Sequence, residues 1–274
     1  MTRVAACQIA LDIENPAQNI ARANKAIDDA IAQGAQIIVL PELVNSGYAF
    51  TSVSEVQDRS TTLDGELIAK WKEIAHKSDV VIVAGLALSV ESRLYNSSVV
   101  IDKSGLLGWY AKVHLFGEEH QFFKTGEKPP LVVNTAHGRI ATMVCYDVEF
   151  PEWVRLAMLD RAALLAIPTN WPNLGQLIHG TPMEAVRVQA AASVNKMVAI
   201  AADRSGSERG HSWVCSSVIT DFEGNIKAIA AREAEHDIQI IVADVDLPTD
   251  TSITPKNDVR KDRKPDLYNG ILKY

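Results

Sequence analysis

Glu42, Lys112 and Cys145 each stand where an apolar run ends. Glu42 follows Ile37-Ile38-Val39-Leu40-Pro41, Lys112 follows Leu106-Leu107-Gly108-Trp109-Tyr110-Ala111, and Cys145 follows Arg139-Ile140-Ala141-Thr142-Met143-Val144. A thiol needs help to be a nucleophile, because a reference pKa of ~8.5 leaves only a few per cent thiolate at pH 7. A carboxylate such as Glu42 can take its proton. An ammonium such as Lys112 can stabilise both the thiolate and the negative oxygen formed when it attacks. Together they would make an acyl-enzyme from an amide or a nitrile. Taken singly, each residue has a plainer role: a surface ion-pair partner, a solvated lysine, a small buried hydrophobe. Their shared position at strand ends, where loops build sites in α/β folds, is what points to one pocket. His114 lies two residues from Lys112, so on a strand it would share that face. The residues alone leave it open as the rival partner of the thiol.

The elements that must position this set alternate along the chain. Val4 to Ile9 reads as a buried strand, and Pro16 to Ala32 has helical spacing with Ile20, Ala23, Ile27, Ala30 and Ile31 on one face. Gly34 ends that helix, and the strand 37–40 stops at Pro41. A helix is expected over Leu67–Ala75, then strands over Val80–Leu88, Tyr95–Ile101 and Leu106–Val113, the last two joined by the turn Asp102-Lys103-Ser104-Gly105. Further strands are expected at Arg139–Cys145, Leu164–Ile167 and Val198–Ala202, and helices at Pro151–Leu159 and Met183–Val194. Three closing strands are read at Trp213–Thr220, Ile226–Ala230 and Ile238–Val245. The pattern is α/β with mixed rather than purely parallel sheets. No linker divides the chain, so residues 1–274 read as one domain, with the polar stretch 248–274 as a C-terminal arm.

With 274 residues and 47% hydrophobic content, the chain has ample material for a core. Its formal net charge of −7 leaves no basic footprint for nucleic acid. Cys7, Cys145 and Cys215 are widely spaced and odd in number, which is neither a disulfide framework nor a zinc site. The N-terminus turns acidic too soon for a signal peptide, and no run approaches the ~18 apolar residues of a membrane helix. The expectation is a soluble cytoplasmic protein without a membrane partner. Cys7 and Cys215 fall within apolar runs and read as structural.

Three stretches in order, PELVNSGY around Glu42, AKVHLFGEEHQFFKTGE around Lys112 and CYDVEFPEWVR around Cys145, resemble the signature regions of the nitrilase superfamily of carbon–nitrogen hydrolases. The similarity continues through IPTNWP at 167–172, the helix ending AAASVNK, and SWVCSSVITDFEGN, from Arg3 to about Asp246. The resemblance implies a four-layer α-β-β-α sandwich with two mixed β-sheets. It implies Glu42 as general base, Cys145 as nucleophile, and Lys112 with the backbone N–H of Tyr146 as the oxyanion site. It also implies a second glutamate, which maps to Glu119 because FKTG at 123–126 resembles the family's FxPG. Glu118 is the neighbouring alternative. Subunits of the family pair, so a homodimer or higher homo-oligomer is implied, with no cofactor and no metal. The chain departs from the family at Cys215, where Gly is common, at Arg161, and at Thr125 in place of the Pro of FxPG.

After the nucleophile this chain has Cys-Tyr-Asp, which is similar to the amidase and carbamoylase branches, whereas true nitrilases have Cys-Trp-Glu. The small-molecule substrate is therefore expected to be an amide, as in bacterial aliphatic and stereoselective amidases. A carbamoyl amine or β-ureido acid is the alternative, then a nitrile, with a non-catalytic scaffold as the reading of a different class. Asp147, Glu149, Glu118 and Glu119 predict a negative pocket rim and a preference for neutral or amine-bearing amides. Glu149 either faces substrate or pairs with Arg155. Trp171 is expected to shape a loop or line the pocket.

Overall fold

The computed structural model describes residues 1–232 and 237–273. In chain order the first half comprises β1 (Thr2–Ala10), α1 (Pro16–Ala32), β2 (Ile37–Val39), α2 (Val53–Arg59), α3 (Glu66–Ser78), β3 (Val81–Val90), β4 (Arg93–Asp102) and β5 (Gly105–Ala111). The second half holds β6 (Leu131–Thr135), β7 (Gly138–Thr142), α4 (Pro151–Leu159), β8 (Leu164–Pro168), the short pair β9 (Leu177–Ile178) and β10 (Thr181–Pro182), α5 (Met183–Asn195) and β11 (Val198–Ala202). There follow β12 (Arg204–Ser205), the hairpin β13 (Ser207–Glu208) and β14 (His211–Ser212), β15 (Val218–Thr220), β16 (Ile226–Ile229) and β17 (Ile238–Val245). One sheet runs β12-β1-β2-β3-β4-β5, with β17 antiparallel to β1, and the other runs β16-β15-β11-β8-β7-β6. Both are mixed: β1, β2 and β3 are parallel to one another while β4 and β5 return antiparallel.

Strand alternation explains how two sheets and four helices become four layers. Because successive side chains point to opposite faces, Val4, Ala6, Ile37, Val39, Val81 and Val83 meet Ile140, Leu164, Ala166, Val198 and Ile200 between the sheets. Their sequence neighbours Ala5, Cys7, Ile38, Ile82 and Ala84 face outward onto α1 and α3. Ala141, Leu165, Ile167 and Ala199 face outward onto α4 and α5. The near-continuous apolar runs of these strands follow from burial on both faces. The molecule is thus the four-layer α-β-β-α sandwich that the resemblance implied.

The helices start and stop where their sequences say they should. Asn15 caps α1 by accepting the N–H of Gln18 at 3.2 Å, Pro16 occupies the first turn, and Gly34 closes the end at a φ of 80°. Ile20 and Ile31 lie at the edge of its buried stripe, whose centre also includes Asn19 and Ala26. The short strands β9, β10 and β12 to β14 were not expected from sequence, and neither were α2 and β6. The seven residues of α2 are mostly polar, held by the Ser52 cap, and β6 is an edge strand immediately after Pro129-Pro130.

One expected strand ends early and another begins late. The run 139–145 leaves the sheet at Thr142, and Cys145 adopts a φ of 48° at the head of a 3₁₀ turn over Cys145–Glu149. The run 213–220 is a ladder only over Val218–Thr220. Cys215, with φ 55°, lies in an irregular buried segment rather than on a strand. Beyond residue 248 the chain forms a short hairpin and two 3₁₀ turns, and the apolar Leu267, Ile271 and Leu272 lie exposed.

Candidate active site

Each strand end is folded back by a tight local contact. At Glu42 the chain crosses over β3: Leu40 donates to the carbonyl of Val83 at 2.8 Å, Gly85 donates to that of Pro41 at 3.1 Å, and Val44 donates to that of Gly85 at 2.9 Å. A Cβ on residue 85 would lie 2.3 Å from Glu42 Cα, so only glycine lets this turn approach the sheet. The Glu42 N–H then donates to the Thr169 carbonyl at 3.3 Å, which ties the end of β2 to the end of β8 in the other sheet. Lys112 is fixed through its backbone, its N–H donating to Asn96 O at 2.8 Å and its carbonyl accepting Gly126 N–H at 2.9 Å. A Cβ on residue 126 would fall 2.1 Å from Ala111 O, which accounts for the glycine of FKTG.

The Cys145 turn is clamped by Asp147. This fully buried carboxylate accepts from Val144 N at 3.0 Å, Tyr110 OH at 2.8 Å and His114 N at 2.9 Å. The His114 ring lies 2.7 Å from the same carboxylate through Nδ1 and stacks on Phe150 at 3.7 Å. His114 is therefore engaged in building the turn, and the groups whose charge bears on the thiol are Glu42, Lys112 and Glu119.

Those three form one buried charge cluster. Lys112 Nζ lies 2.7 Å from Glu42 Oε1 and 2.8 Å from Glu119 Oε1, with the lysine and Glu42 wholly excluded from solvent. Glu119 is saturated: its Oε1 also accepts Tyr48 OH at 2.6 Å, and its Oε2 accepts Phe116 N at 3.2 Å. Glu42 is not. Its Oε1 accepts both Lys112 and Asn96 Nδ2, the latter at 2.7 Å, while its buried Oε2 has no hydrogen-bond partner among the described residues. This asymmetry equips Glu119 as an anchor and leaves Glu42 with a vacant basic oxygen. Burial raises Glu42 above the ordinary carboxylate range despite the lysine. Burial alone would lower Lys112, but the charges of Glu119 and Glu42 outweigh it and keep the ammonium above its usual range. The Cys145 thiol is pushed up by burial and then by Glu42, and is drawn down by Lys112 and a backbone contact from Asn170. A thiol in this state is neutral at rest and would need a base to take its proton before it could act as a nucleophile.

Lys112, Glu42 and Glu119 thus form one cluster whose charges reach Cys145, and Glu119 rather than exposed Glu118 meets the lysine. Tyr146 is half-buried, its ring set edge-on to Phe116 at 5.3 Å and Phe150 at 5.1 Å. Trp171 is buried and bound at both backbone atoms, to Asp203 at 3.0 Å and to Val214 at 2.9 Å, so its backbone shapes the loop. Glu149 does not pair with Arg155. It reaches across to Arg187 of α5 at 3.1 Å, while Arg155 donates to the Val194 carbonyl at 3.0 Å, because α5 lies against both. The acidic rim is largely dismantled by these contacts: Asp147 and Glu119 are buried with partners, exposed Glu149 is paired with Arg187, and Glu118 is exposed.

The sequence reading missed Tyr48, Asn96, Asp203 and Glu208. Asn96 had a visible signal, a carboxamide inside the apolar run LYNSSVVI, and the others had none without the fold. Glu208 Oε2 accepts the N–H groups of Tyr48 at 2.9 Å and Ala49 at 3.1 Å, holding the turn that delivers Tyr48 to Glu119. Its Oε1 forms a buried ion pair with Arg204 at 2.8 Å. Among the described residues, no group of three or more His, Cys, Asp and Glu is arranged to hold a metal ion.

Asp203 backs the 169–171 loop, accepting from Trp171 N, Arg204 N at 2.9 Å and Ser216 N at 3.1 Å. Burial, the largest effect, pushes it up to about 7 against these donors. The folded protein therefore keeps this proton where the unfolded chain, titrating near ~3.9, has lost it. Fewer protons on the unfolded state mean that this group makes stability fall as pH rises from about 4 to about 7. Urea unfolding of Asp203→Asn beside the parent should show the variant gaining on it, by the order of a few kcal/mol, between about pH 5 and about pH 7.5. A difference between the two proteins that does not move with pH would refute the buried neutral Asp203.

With the geometry in place, the comparisons are specific. The sequence pattern of the family described as Carbon-nitrogen hydrolase matches residues 3–253. A protein of Pyrococcus abyssi named nitrilase is 34% identical over 98% of this chain and 99% of its own length. The 2-oxoglutaramate amidase of Bacillus subtilis is 30% identical over 97% of this chain and 98% of its own length. Among solved structures, an amidase from Nesterenkonia sp. AN1, captured after Michael addition of acrylamide at its active-site cysteine, superposes with a TM-score of 0.80. It is 27% identical to this chain, covering 99% of it and 100% of the amidase. Buried glutamates, lysine and cysteine at the ends of strands from two sheets, and relatives matched over their full length, lead to one conclusion: this chain belongs to the carbon–nitrogen hydrolase family, the nitrilase superfamily, and is a hydrolase acting on carbon–nitrogen bonds of amides.

Proposed function

We propose that the protein is an amidase that converts small carboxamides to the carboxylic acid and ammonia through a thioester on Cys145. The observation that carries this reading is the buried Lys112 held between Glu42 and Glu119, with all three charges acting on the Cys145 thiol. Glu42 takes the thiol proton through its vacant oxygen as sulfur attacks the amide carbon. The oxyanion settles on Lys112 and the Tyr146 N–H, in a water-poor site where a fixed positive charge acts strongly. Glu42 then protonates the departing ammonia, and a water activated by Glu42 releases the acid. Glu119 and Tyr48 hold the lysine throughout.

Substrate charge follows from the cluster rather than from the rim. One lysine against two glutamates leaves the site negative if both are ionised, so a free carboxylate beside the scissile bond meets repulsion in a low-dielectric setting. That supports neutral or amine-bearing amides. Nitrile hydrolysis is the second reading, favoured by the name of the Pyrococcus relative, and carbamoyl amine hydrolysis the third. Matched propionamide, carbamoylputrescine and propionitrile, assayed for ammonia at equal concentration, separate them. The amide should exceed the nitrile by about tenfold or more, a difference of ~1.4 kcal/mol in barrier. Faster nitrile turnover would overturn the amidase reading.

We further infer one domain over residues 1–274, because the chain passes from the second sheet into the first at β12, returns to the second at β15 and β16, and comes back to the first at β17. On this reading residues 248–274 are an arm that, with exposed Leu156 and Val194 on α4 and α5, supports pairing into a homodimer. Among the described residues no helix is long and apolar enough to cross a membrane, and the three cysteines are free thiols, as a reducing cytoplasmic setting allows.

A further inference from the structure

Asn96 stands on β4 with Ser97 and Ser98, all fully buried in a strand that is otherwise largely apolar. It touches both halves of the charge cluster. Its backbone carbonyl accepts the Lys112 N–H at 2.8 Å, and its side chain donates to Glu42 Oε1 at 2.7 Å. Lys112 Nζ sits on the same Glu42 oxygen at 2.7 Å. Two donors therefore share one oxygen of the carboxylate, while Oε2 is buried without a hydrogen-bond partner. The Asn96 Oδ1 is likewise unpartnered among the described residues, so the carboxamide is oriented by what its nitrogen does to Glu42.

A carboxylate that rotated about its last bond would place either oxygen on the lysine and lose the distinction between them. A second donor from a rigid strand prevents this, because terminal carboxylate torsions are otherwise broad. We propose that Asn96 is a positioning residue that pins Oε1 of Glu42 against Lys112 and thereby reserves Oε2 to take the proton of the Cys145 thiol. The inference rests on Glu42 being the base. In the resting protein the groups facing Glu42 are Lys112, Asn96, Glu119, Tyr48 and Cys145. Of these, Lys112 and Asn96 favour its ionised form.

Asn96→Leu keeps the volume of the side chain and removes the donor. Loss of a charge-assisted hydrogen bond should lower kcat by about 10- to 100-fold while KM moves less than about threefold. Glu42 then holds its proton to higher pH, so the acid limb of kcat/KM should move upward. The same limb is read without turnover by following iodoacetamide alkylation of Cys145 against pH, by mass spectrometry of the Cys145 peptide. A folded Asn96→Leu whose kcat, acid limb and alkylation profile match the parent overturns the proposal. Should Leu fail to fold, Asn96→Ala is read in the same way. Glu42→Gln keeps the two outcomes apart. If Glu42→Gln retains the acid limb, the base assignment fails. If it abolishes the limb while the Asn96 variants keep it, only the role of Asn96 fails.

Discussion

Cys145→Ala should stop ammonia release from an amide substrate while leaving the fold intact. Removing the nucleophile of a covalent mechanism costs on the order of 10⁴-fold or more in kcat, because what remains is binding and oxyanion stabilisation without a bond to form. The stability cost is small for two reasons. The thiol is neutral in the folded state, burial having pushed it up, so its loss orphans no charge. Alanine also meets the same left-handed backbone, at φ 48°, that cysteine already occupies. The unfolding free energy should change by about 1 kcal/mol or less, within the range for losing one small buried atom. Ammonia assay and urea unfolding on the same preparation check both halves. Turnover that survives in a folded Cys145→Ala protein would remove the thioester mechanism altogether.

Lys112→Met should damage both activity and stability, and the two losses should separate on a second substitution. The lysine is the only cation within hydrogen-bonding distance of Glu42 and Glu119 among the described residues, at 2.7 Å and 2.8 Å. Taking it away leaves two buried carboxylates facing each other, and breaking a buried ionic contact in this way costs about 3–5 kcal/mol. The sign of the pH dependence follows. Burial already raises Glu42, and without the lysine it rises further, so the folded variant keeps a proton that the unfolded chain has released. Its stability should therefore fall, relative to the parent, as pH rises above the ordinary carboxylate range. Adding Glu42→Gln to Lys112→Met removes one orphaned charge and should restore much of the stability. Activity should stay below the parent by about 10²- to 10³-fold or more in either variant, since the oxyanion has lost its charged partner. Urea midpoints at acidic and alkaline pH for the parent and both variants decide the matter. A Lys112→Met protein whose stability relative to the parent does not fall with pH would contradict the buried charge cluster.

The reach of the sequence differs between backbone and side chain for a physical reason. Strand and helix positions were legible because burial on both faces leaves continuous apolar runs, as in 37–40 and 164–167, and because caps such as Asn15 act within a few residues. The errors fall where the backbone leaves the regular period. Cys145 and Cys215 adopt positive φ inside apolar runs, and no residue type there signals the bend. Partner choice was harder still. Glu149 has Arg155 near in sequence, but the partner is Arg187, thirty-eight residues away on α5. Asp147 was expected on an acidic pocket rim and is a buried clamp, since its donors Tyr110 and His114 come from another strand end.

The sequence by itself determined the layered α/β scaffold, the family, and the candidate set Glu42, Lys112, Glu119 and Cys145, because three of these stand at strand ends in a fixed order and Glu119 follows from the resemblance carried by FKTG at 123–126. Tertiary structure alone decided which glutamate oxygen stays vacant, that His114 serves Asp147, and that Asn96, Tyr48 and Glu208 stand behind the cluster. Those outcomes depend on contacts between segments 33 to 160 residues apart in sequence, at distances near 3 Å, which no local pattern encodes.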